Sequence, residues 1–453
     1  MQLFRKILFW CHLATGVSVG LVVLVMSVTG VLLTYEKQML ARADARAVQV
    51  PAPAPGTPRL PVDALMRRVA QAESGTPTTV TWLAGENAPV RVAYGREKTV
   101  YVDPYTGAVL GQGARGMRAF FRGVTDWHRW LAQSGDGRER GKMITDAANL
   151  GFLFLVLSGL YLWFPRSRTR GAFRNVLFFR RGLRAKARDF NWHHVIGFWS
   201  FVPLAVIVAS ATVISYPWAS NLVYRLAGEE PPAQQGAGGG APGAPGGAAA
   251  RAGTPAGERG ARAEGGQRDG GARAEAGPRG EAGPRGEGGR GGEGGAGARG
   301  GEEPLLAGVD PLLAAARRKV EGWRTISMTM PKAADAPVVF NIDRGTGGQP
   351  QKRASLTLDR ATGAEVKWEP FAAGTTGRKA RSILRFAHTG EVLGIVGQTI
   401  AGLVSLGAAV MVWTGLALTL RRFAAWRGRR GRTDAAASEP VRAPRRRRQH
   451  TPA

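Results

Sequence analysis

The sequence predicts an α-helical membrane protein: a four-helix transmembrane bundle built from a parallel duplication, with two small α+β domains outside the bilayer. Three observations predict it. Four apolar segments, 8–34, 143–164, 192–218 and 390–420, approach or exceed the roughly 20 residues that cross a bilayer core of about 30 Å. Basic residues concentrate in alternate connections. The same order of motifs occurs in both halves of the 453-residue chain.

Segment 8–34 follows Arg5 and Lys6. It is longer than the apolar region of a secretory signal, about 7–15 residues, although ARADARA follows it, so it is expected to remain as the first membrane helix. Residues 50–113 hold a helix-like stretch, VDALMRRVAQA, then the alternating runs TVTWLA, VRVAYG and TVYVDPYTGAVL, which read as strands. An amphipathic interfacial helix is expected over 117–133, and the second membrane helix over 143–164. A basic loop, 165–190, leads to the third helix, 192–218. Residues 304–371 repeat the first outward domain as VDPLLAAARRKV, TISMTM, VVFNID and SLTLDRATGAEV. Each domain ends in an Asp-x-x-Thr-Gly turn pattern, with Asp103, Thr106 and Gly107 in one and Asp359, Thr362 and Gly363 in the other. The fourth helix, 390–420, runs into a basic tail, 421–453.

The two halves differ chiefly by an insertion. His12 lies 91 residues before Asp103 and His193 lies 166 before Asp359; removing the 72 residues of 232–303 brings the second spacing to 94. That segment is almost wholly Gly, Ala, Arg, Pro and Glu. It has no side chains to bury a core and is expected to be disordered. The formal charge of +29 reads as topology. Basic residues before the first helix, between the second and third, and after the fourth place all three segments on the cytoplasmic side, with both termini inside. The expected partner is the lipid bilayer, not nucleic acid.

The histidines carry the chemistry. Four of the six stand at membrane-segment edges in two matched pairs. His12 in WCHLATG and His193 in WHHVIGF are each followed four residues on by glycine, Gly16 and Gly197, on the same helical face. His128 in TDWHRWL and His388 in RFAHTGEVLG precede the second and fourth helices. Topology places His12 and His193 near the cytoplasmic face and His128 and His388 near the outer face. Two axial imidazoles per iron then give one bis-histidine haem on each side. The glycines are expected to leave room for the porphyrin edge. His194 is the adjacent rival of His193, and the glycine spacing favours His193. Arg122, Arg129 and Arg385 are candidate partners of haem propionates, and Asp126 a candidate orienter of an imidazole. Asp146 and Asn149 are polar groups within the membrane, with either a haem contact or a helix-start hydrogen bond expected. Cys11 is the single cysteine, which excludes an intramolecular disulfide, a Cys-held cluster and covalent haem attachment, so the haems would be b-type.

These residues resemble the PepSY-associated transmembrane family, the iron-regulated inner-membrane proteins that include ferric-siderophore reductases. TDWHRWL, DAANLGFLFLVLSGLYLWFPR, FNWHHVIGFW and RFAHTGEVLG followed by VWTGLAL carry the resemblance. It implies PepSY-like periplasmic domains and a bacterial inner-membrane, multi-pass location. For the reductase members it implies two b-haems that carry electrons to a periplasmic ferric siderophore. His12, His128, His193 and His388 are the positions brought over as ligands. The chain has no dinucleotide fingerprint and no Fe–S cysteines, so the electron donor is expected to be a separate cytoplasmic protein or a membrane quinol. The rival expectation is a membrane-anchored PepSY protein that binds peptides or restrains a peptidase, without redox activity.

Overall fold

The computed structural model describes residues 2–95, 98–165, 167, 169–232 and 306–437. The expected insertion beyond Pro232 and the tail from 438 onward lie outside them. In chain order, α1 (Gln2–Leu33) leads through α2 (Glu36–Ala47) and α3 (Val62–Ala72) to β1 (Thr79–Leu83), β2 (Val90–Tyr94), β3 (Lys98–Val102) and β4 (Val109–Gly111). Then come α4 (Arg115–Trp130), α5 (Gly137–Trp163) and a short connecting α6 (Arg170–Leu177). The second half holds α7 (Ala185–Ser215), α8 (Pro217–Leu226), α9 (Val309–Lys319), β5 (Thr325–Thr329), β6 (Val338–Asp343), β7 (Arg353–Leu358), β8 (Glu365–Pro370), α10 (Thr376–His388) and α11 (Gly394–Ala437). Apart from α6, it repeats the element order of the first.

Four of these helices, α1, α5, α7 and α11, are long and apolar enough to cross a membrane, and the chain is a multi-pass membrane protein. Each packs against two neighbours, in the order α1, α5, α7, α11 and back to α1, so α1 and α7 face one another across the diagonal. Val156, Leu204, Val208, Val404 and Ala408 fill the centre. Leu21, Trp199, Val202, Leu403 and Trp413 are exposed on the outside, as a lipid-facing surface requires.

Polar groups between the helices are paired. Asn149 Nδ2 donates to the Val208 carbonyl at 3.2 Å and to Thr212 Oγ1 at 3.0 Å. Asp146 accepts from Ser215 Oγ at 2.6 Å and pairs with Lys142. Both residues therefore bind α5 to α7. At the far end of the bundle, Asp189 pairs with Arg188 at 3.1 Å and with Arg421, joining α7 to α11.

Several boundaries differ from expectation. Helices α1 and α7 begin in the charged residues ahead of their apolar runs, so His12 and His193 lie two or more turns inside. Helix α11 runs on to Ala437. The sequence did not show α2, α8 and α10, nor α6 within the expected basic loop 165–190; these are short helices whose polar residues hide their period.

The larger difference is in the part beyond the bundle. Two separate α+β domains were expected, but the strands form one antiparallel sheet in the order β4-β3-β2-β1-β5-β6-β7-β8. Strands β1 and β5 pair directly, with Thr81 opposite Ser327 and their hydroxyls 2.9 Å apart. The two sets of strands share one core, in which Val80, Val92, Ile326, Met328 and Phe340 pack with Val69 of α3 and Ala316 of α9. Asp310 at the start of α9 accepts from the Val62 amide at 3.0 Å, capping α3. The reason is elementary: an unpaired strand edge leaves N–H and C=O groups unsatisfied, and each half supplies the edge the other lacks.

Because the core is shared, Ile326→Ala, at a fully buried seam position, is expected to destabilise both strand sets by about 2–5 kcal/mol. Hydrogen exchange should show β2 and β6 losing protection together. Loss confined to β5–β8 would mean two independent domains.

Candidate functional site

The four expected histidines come to the two ends of the bundle, two at each. At the sheet end are His128 on α4 and His388 on α10, with ring centroids 6.3 Å apart and planes at 54°. At the far end are His12 and His193, on the diagonal helices α1 and α7 and within electrostatic range of each other. Seventeen residues of α1 separate His12 from Thr29, the partner of His128, so the two levels are about 25 Å apart along the axis.

Each ring is held by its Nδ1 atom. His12 Nδ1 lies 2.8 Å from Ser158 Oγ on α5. His193 Nδ1 lies 3.1 Å from both the Met411 carbonyl and Thr414 Oγ1 on α11. His128 Nδ1 lies 2.9 Å from Thr29 Oγ1 on α1, and His388 Nδ1 lies 2.9 Å from the Ile207 carbonyl on α7.

The acceptors fix the tautomer. A carbonyl only accepts, so His193 and His388 must donate from Nδ1. The Ser158 and Thr29 hydroxyls already donate to carbonyls of their own helices, Ser158 to Phe154 at 2.6 Å and Thr29 to Val25 at 2.7 Å. They therefore accept from His12 and His128. All four imidazoles carry the proton on Nδ1 and present a bare Nε2 lone pair, which has no hydrogen-bond partner among the described residues.

The arrangement repeats in register. Ser158 and Gly159 on α5 correspond to Thr414 and Gly415 on α11. A Cβ on either glycine would sit 3.4 Å from the Cε1 of the facing histidine, His12 or His193. Thr29, which donates to the Met26 carbonyl at 3.1 Å, corresponds to Ser210, which donates to the Ile207 carbonyl at 2.8 Å. These hydroxyls were missed in the sequence, and their signal is the repeated Ser/Thr-Gly-Leu in LSGLYL and WTGLAL.

Gly16 and Gly197 lie where helices meet. A Cβ there would be 3.9 Å from Leu155 Cδ2 and 3.4 Å from Met411 Sδ, respectively. His194 donates to the Phe190 carbonyl of its own helix at 2.9 Å. Asp126 does not orient His128; it pairs with Arg138 at 3.2 Å, and Thr29 does the orienting. Arg129 and Arg385 lie one residue and three residues from the sheet-end histidines, over the Trp130 and Phe386 rings. Arg122 is exposed on α4.

Both histidine-bearing surface helices are clamped at their N-termini by an acid from the segment that follows a membrane span. Asp44 on α2 accepts from the Ala114 amide at 2.8 Å, from Arg118 Nη1 at 2.8 Å and from the Tyr101 hydroxyl at 2.6 Å. Glu229, after α8, accepts from the Gly377 amide at 2.9 Å and from Thr375 Oγ1 at 2.7 Å. Negative charge at a helix N-terminus also suits the helix dipole. Burial alone would raise the Asp44 pKa, but the Arg118, Ala114 and Tyr101 hydrogen bonds outweigh it and hold the carboxyl below 3.8. Burial, with Asp44 as acceptor, pushes the Tyr101 phenol up to about 12.

Four membrane helices, one antiparallel sheet and two histidines at each end of the bundle, held through Nδ1 by neighbouring helices, define a helical membrane-bundle protein. A model of the PepSY-associated TM region matches residues 9–422, and the chain belongs to that family. No match is found among curated proteins.

A group whose folded pKa is depressed contributes stability above its unfolded pKa and loses it as pH falls through the folded value. Wild-type protein is therefore expected to lose melting temperature from about pH 4 downward, and Asp44→Asn to show a lower but flatter profile there. A variant slope as steep as wild type would remove Asp44 from this role.

Proposed function

We propose that the protein is a di-haem b-type electron-transfer protein of the bacterial inner membrane that reduces a periplasmic ferric siderophore. The observation that carries the reading is the tautomer shared by all four histidines. A ligating imidazole binds iron through one nitrogen and donates from the other to a carbonyl or hydroxyl, which fixes its plane and raises its basicity. Here acceptors on four different membrane helices do this.

The residues at the sheet end fit the group. His128 and His388, with ring centroids 6.3 Å apart, would hold a haem iron between them, a separation that suits two imidazoles with metal–nitrogen bonds of about 2 Å. No group of three or more His, Cys, Asp or Glu suited to a metal comes together among the described residues. Bound between two imidazoles, haem supplies a one-electron iron couple with no open coordination position.

The chain's own residues do the rest. Ser158, Thr414 and the Met411 carbonyl hold the far-end rings, and Thr29 and the Ile207 carbonyl hold the sheet-end rings. Gly159 and Gly415 keep side chains away from the far-end imidazoles. Arg129 and Arg385 are placed to meet propionates at the sheet end. The apolar bundle keeps water away from the path between the levels. Lys and Arg at the start of α1, between α5 and α7 and at the end of α11 support a far end in the cytoplasm and a sheet in the periplasm. The matching halves fit a parallel duplication about an axis along the membrane normal. The donor is a quinol or a cytoplasmic protein.

Detergent-purified protein is expected to show a low-spin b-type spectrum and a pyridine haemochrome count near two per chain. His128→Ala or His388→Ala should remove the sheet-end haem, and His12→Ala or His193→Ala the other. His194→Ala should leave the count unchanged. Absence of a Soret band would sink the reading, as would a count indifferent to the four ligand variants. Gly159→Leu, which drives a side chain into the His12 ring, should lower occupancy of the far-end haem alone; equal loss at both ends would show a general folding defect.

A further inference from the structure

At the sheet end of the bundle, away from the histidine pair, a cavity of about 350 Å³ opens where the end of α7, the start of α8 and α10 meet. Arg381 of α10, Ser220, Asn221 and Tyr224 of α8, and Tyr216 at the joint of α7 and α8 bring their polar groups to it. Arg381 Nε donates to Ser220 Oγ at 2.8 Å, which fixes the guanidinium against α8. That bond leaves both Nη groups over, and they meet no carboxylate or other acceptor among the described residues. The Asn221 amide and the Tyr216 and Tyr224 hydroxyls likewise have no partner there, although Tyr224 is nine-tenths buried. Four side chains thus bring unspent donors to one cavity.

The charge balance is simple. Arg381 is the single charged residue among those described that line the cavity. Two carboxylates in adjoining segments are already engaged, Asp146 by Ser215 and Lys142, and Glu229 by the Gly377 amide and Thr375. A ligand with one negative charge and several acceptor oxygens answers this set. A planar guanidinium matches two oxygens of a phosphate or carboxylate side by side.

The flank of α8 shows where such a ligand comes from. Trp218, Leu222 and Leu226 stand at every fourth position, on one helical face, and are 55%, 47% and 80% exposed. Helix α8 therefore turns an apolar stripe outward just where α7 leaves the bundle, as a helix lying in a bilayer surface does. The occupant joins an oxyanion to apolar chains.

We propose that this cavity binds the phosphodiester of a membrane phospholipid. Arg381 meets its one charge, Asn221 and the two tyrosine hydroxyls take its remaining oxygens, and the acyl chains run along Trp218, Leu222 and Leu226. Arg381 lies seven residues, about two turns, before His388 on α10. A lipid held there ties α10 to α8 and steadies the helix that carries His388. The site does not depend on what the histidines hold.

The test uses full-length protein, delipidated in a phosphate-free maltoside detergent, and dioctanoyl phosphatidylglycerol as the probe. Dioctanoylglycerol has the same chains without the phosphate, and inorganic phosphate has the oxyanion without the chains. Native mass spectrometry should find the phospholipid bound at least tenfold more tightly than either, with α10 gaining hydrogen-exchange protection when it binds. Arg381→Gln should weaken the phospholipid about tenfold. Asn221→Leu, which fills the cavity and keeps the bond from Arg381 to Ser220, should do the same if Arg381→Gln fails to fold. Equal binding of dioctanoylglycerol would reduce the site to its apolar stripe and overturn the proposal. Inorganic phosphate bound as tightly as the lipid would assign the cavity to a free anion instead, and phospholipid affinity that neither variant lowers would remove the cavity from lipid binding altogether.

Discussion

An imidazole inside an apolar bundle cannot leave its N–H unpaired, and this constraint organises the molecule. Water is absent there, and an unsatisfied donor costs several kcal/mol. Each histidine meets the requirement on a neighbouring element: α1 rings on α5, α7 rings on α11, and the α4 and α10 rings on α1 and α7. The hydrogen bond that satisfies the ring also fixes which helices are neighbours and in what register. Bundle order and ring orientation are thus one decision. The hydroxyl acceptors add a further link, since Ser158 and Thr29 accept from a ring only because their protons go to carbonyls within their own helices.

The outward part extends this decision. Helices α4 and α10 each carry a histidine at one end and an acid clamp at the other. Asp44 joins the start of α4 to α2 and, through Tyr101, to β3. Glu229 joins the start of α10 to the end of α8. Gly141 and Gly397 let the next membrane helix press against the turn after each histidine; a Cβ there would be 2.1 Å from the Trp130 carbonyl oxygen or 2.2 Å from that of Gly390. The position of the sheet-end pair is therefore set from both ends of each short helix, and the shared sheet ties the two halves together.

Much of this was legible in the sequence, and the limits have physical causes. The membrane helices and the four histidines show because apolar length and rare residue types survive in one dimension. Strand existence showed through alternation in TVTWLA and TISMTM. The β1–β5 seam did not, because both edges alternate alike and nothing local says which edge pairs with which. Helix α10 was hidden by arginines at TGRKARSILRFAH. Asp126 looked suited to orient His128 by proximity in sequence, but residues two apart on a helix point to different faces, and the orienting group came from 99 residues away. Ser158 and Thr414 lie within longer apolar motifs and give no signal of their role there, since a serine or threonine in a membrane helix usually serves only its own backbone.

The eight-stranded sheet has one further consequence. Joining the halves edge to edge leaves two outer strands, β4 and β8, as the places where another chain could add on. Both discourage it. Strand β4 has three residues, and its pairing with β3 shifts register between Tyr101 and Val102. Strand β8 is longer, but it carries Glu365, Lys367 and Glu369 in alternation and ends in Pro370, and its pairing also shifts, between Thr357 and Leu358. Short length, charge, proline and bulges are the devices by which natural sheets resist edge-to-edge aggregation. Strand recruitment thus stops at the two outer strands that the central seam leaves over, and a protein crowded into the plane of a membrane keeps its sheet to itself.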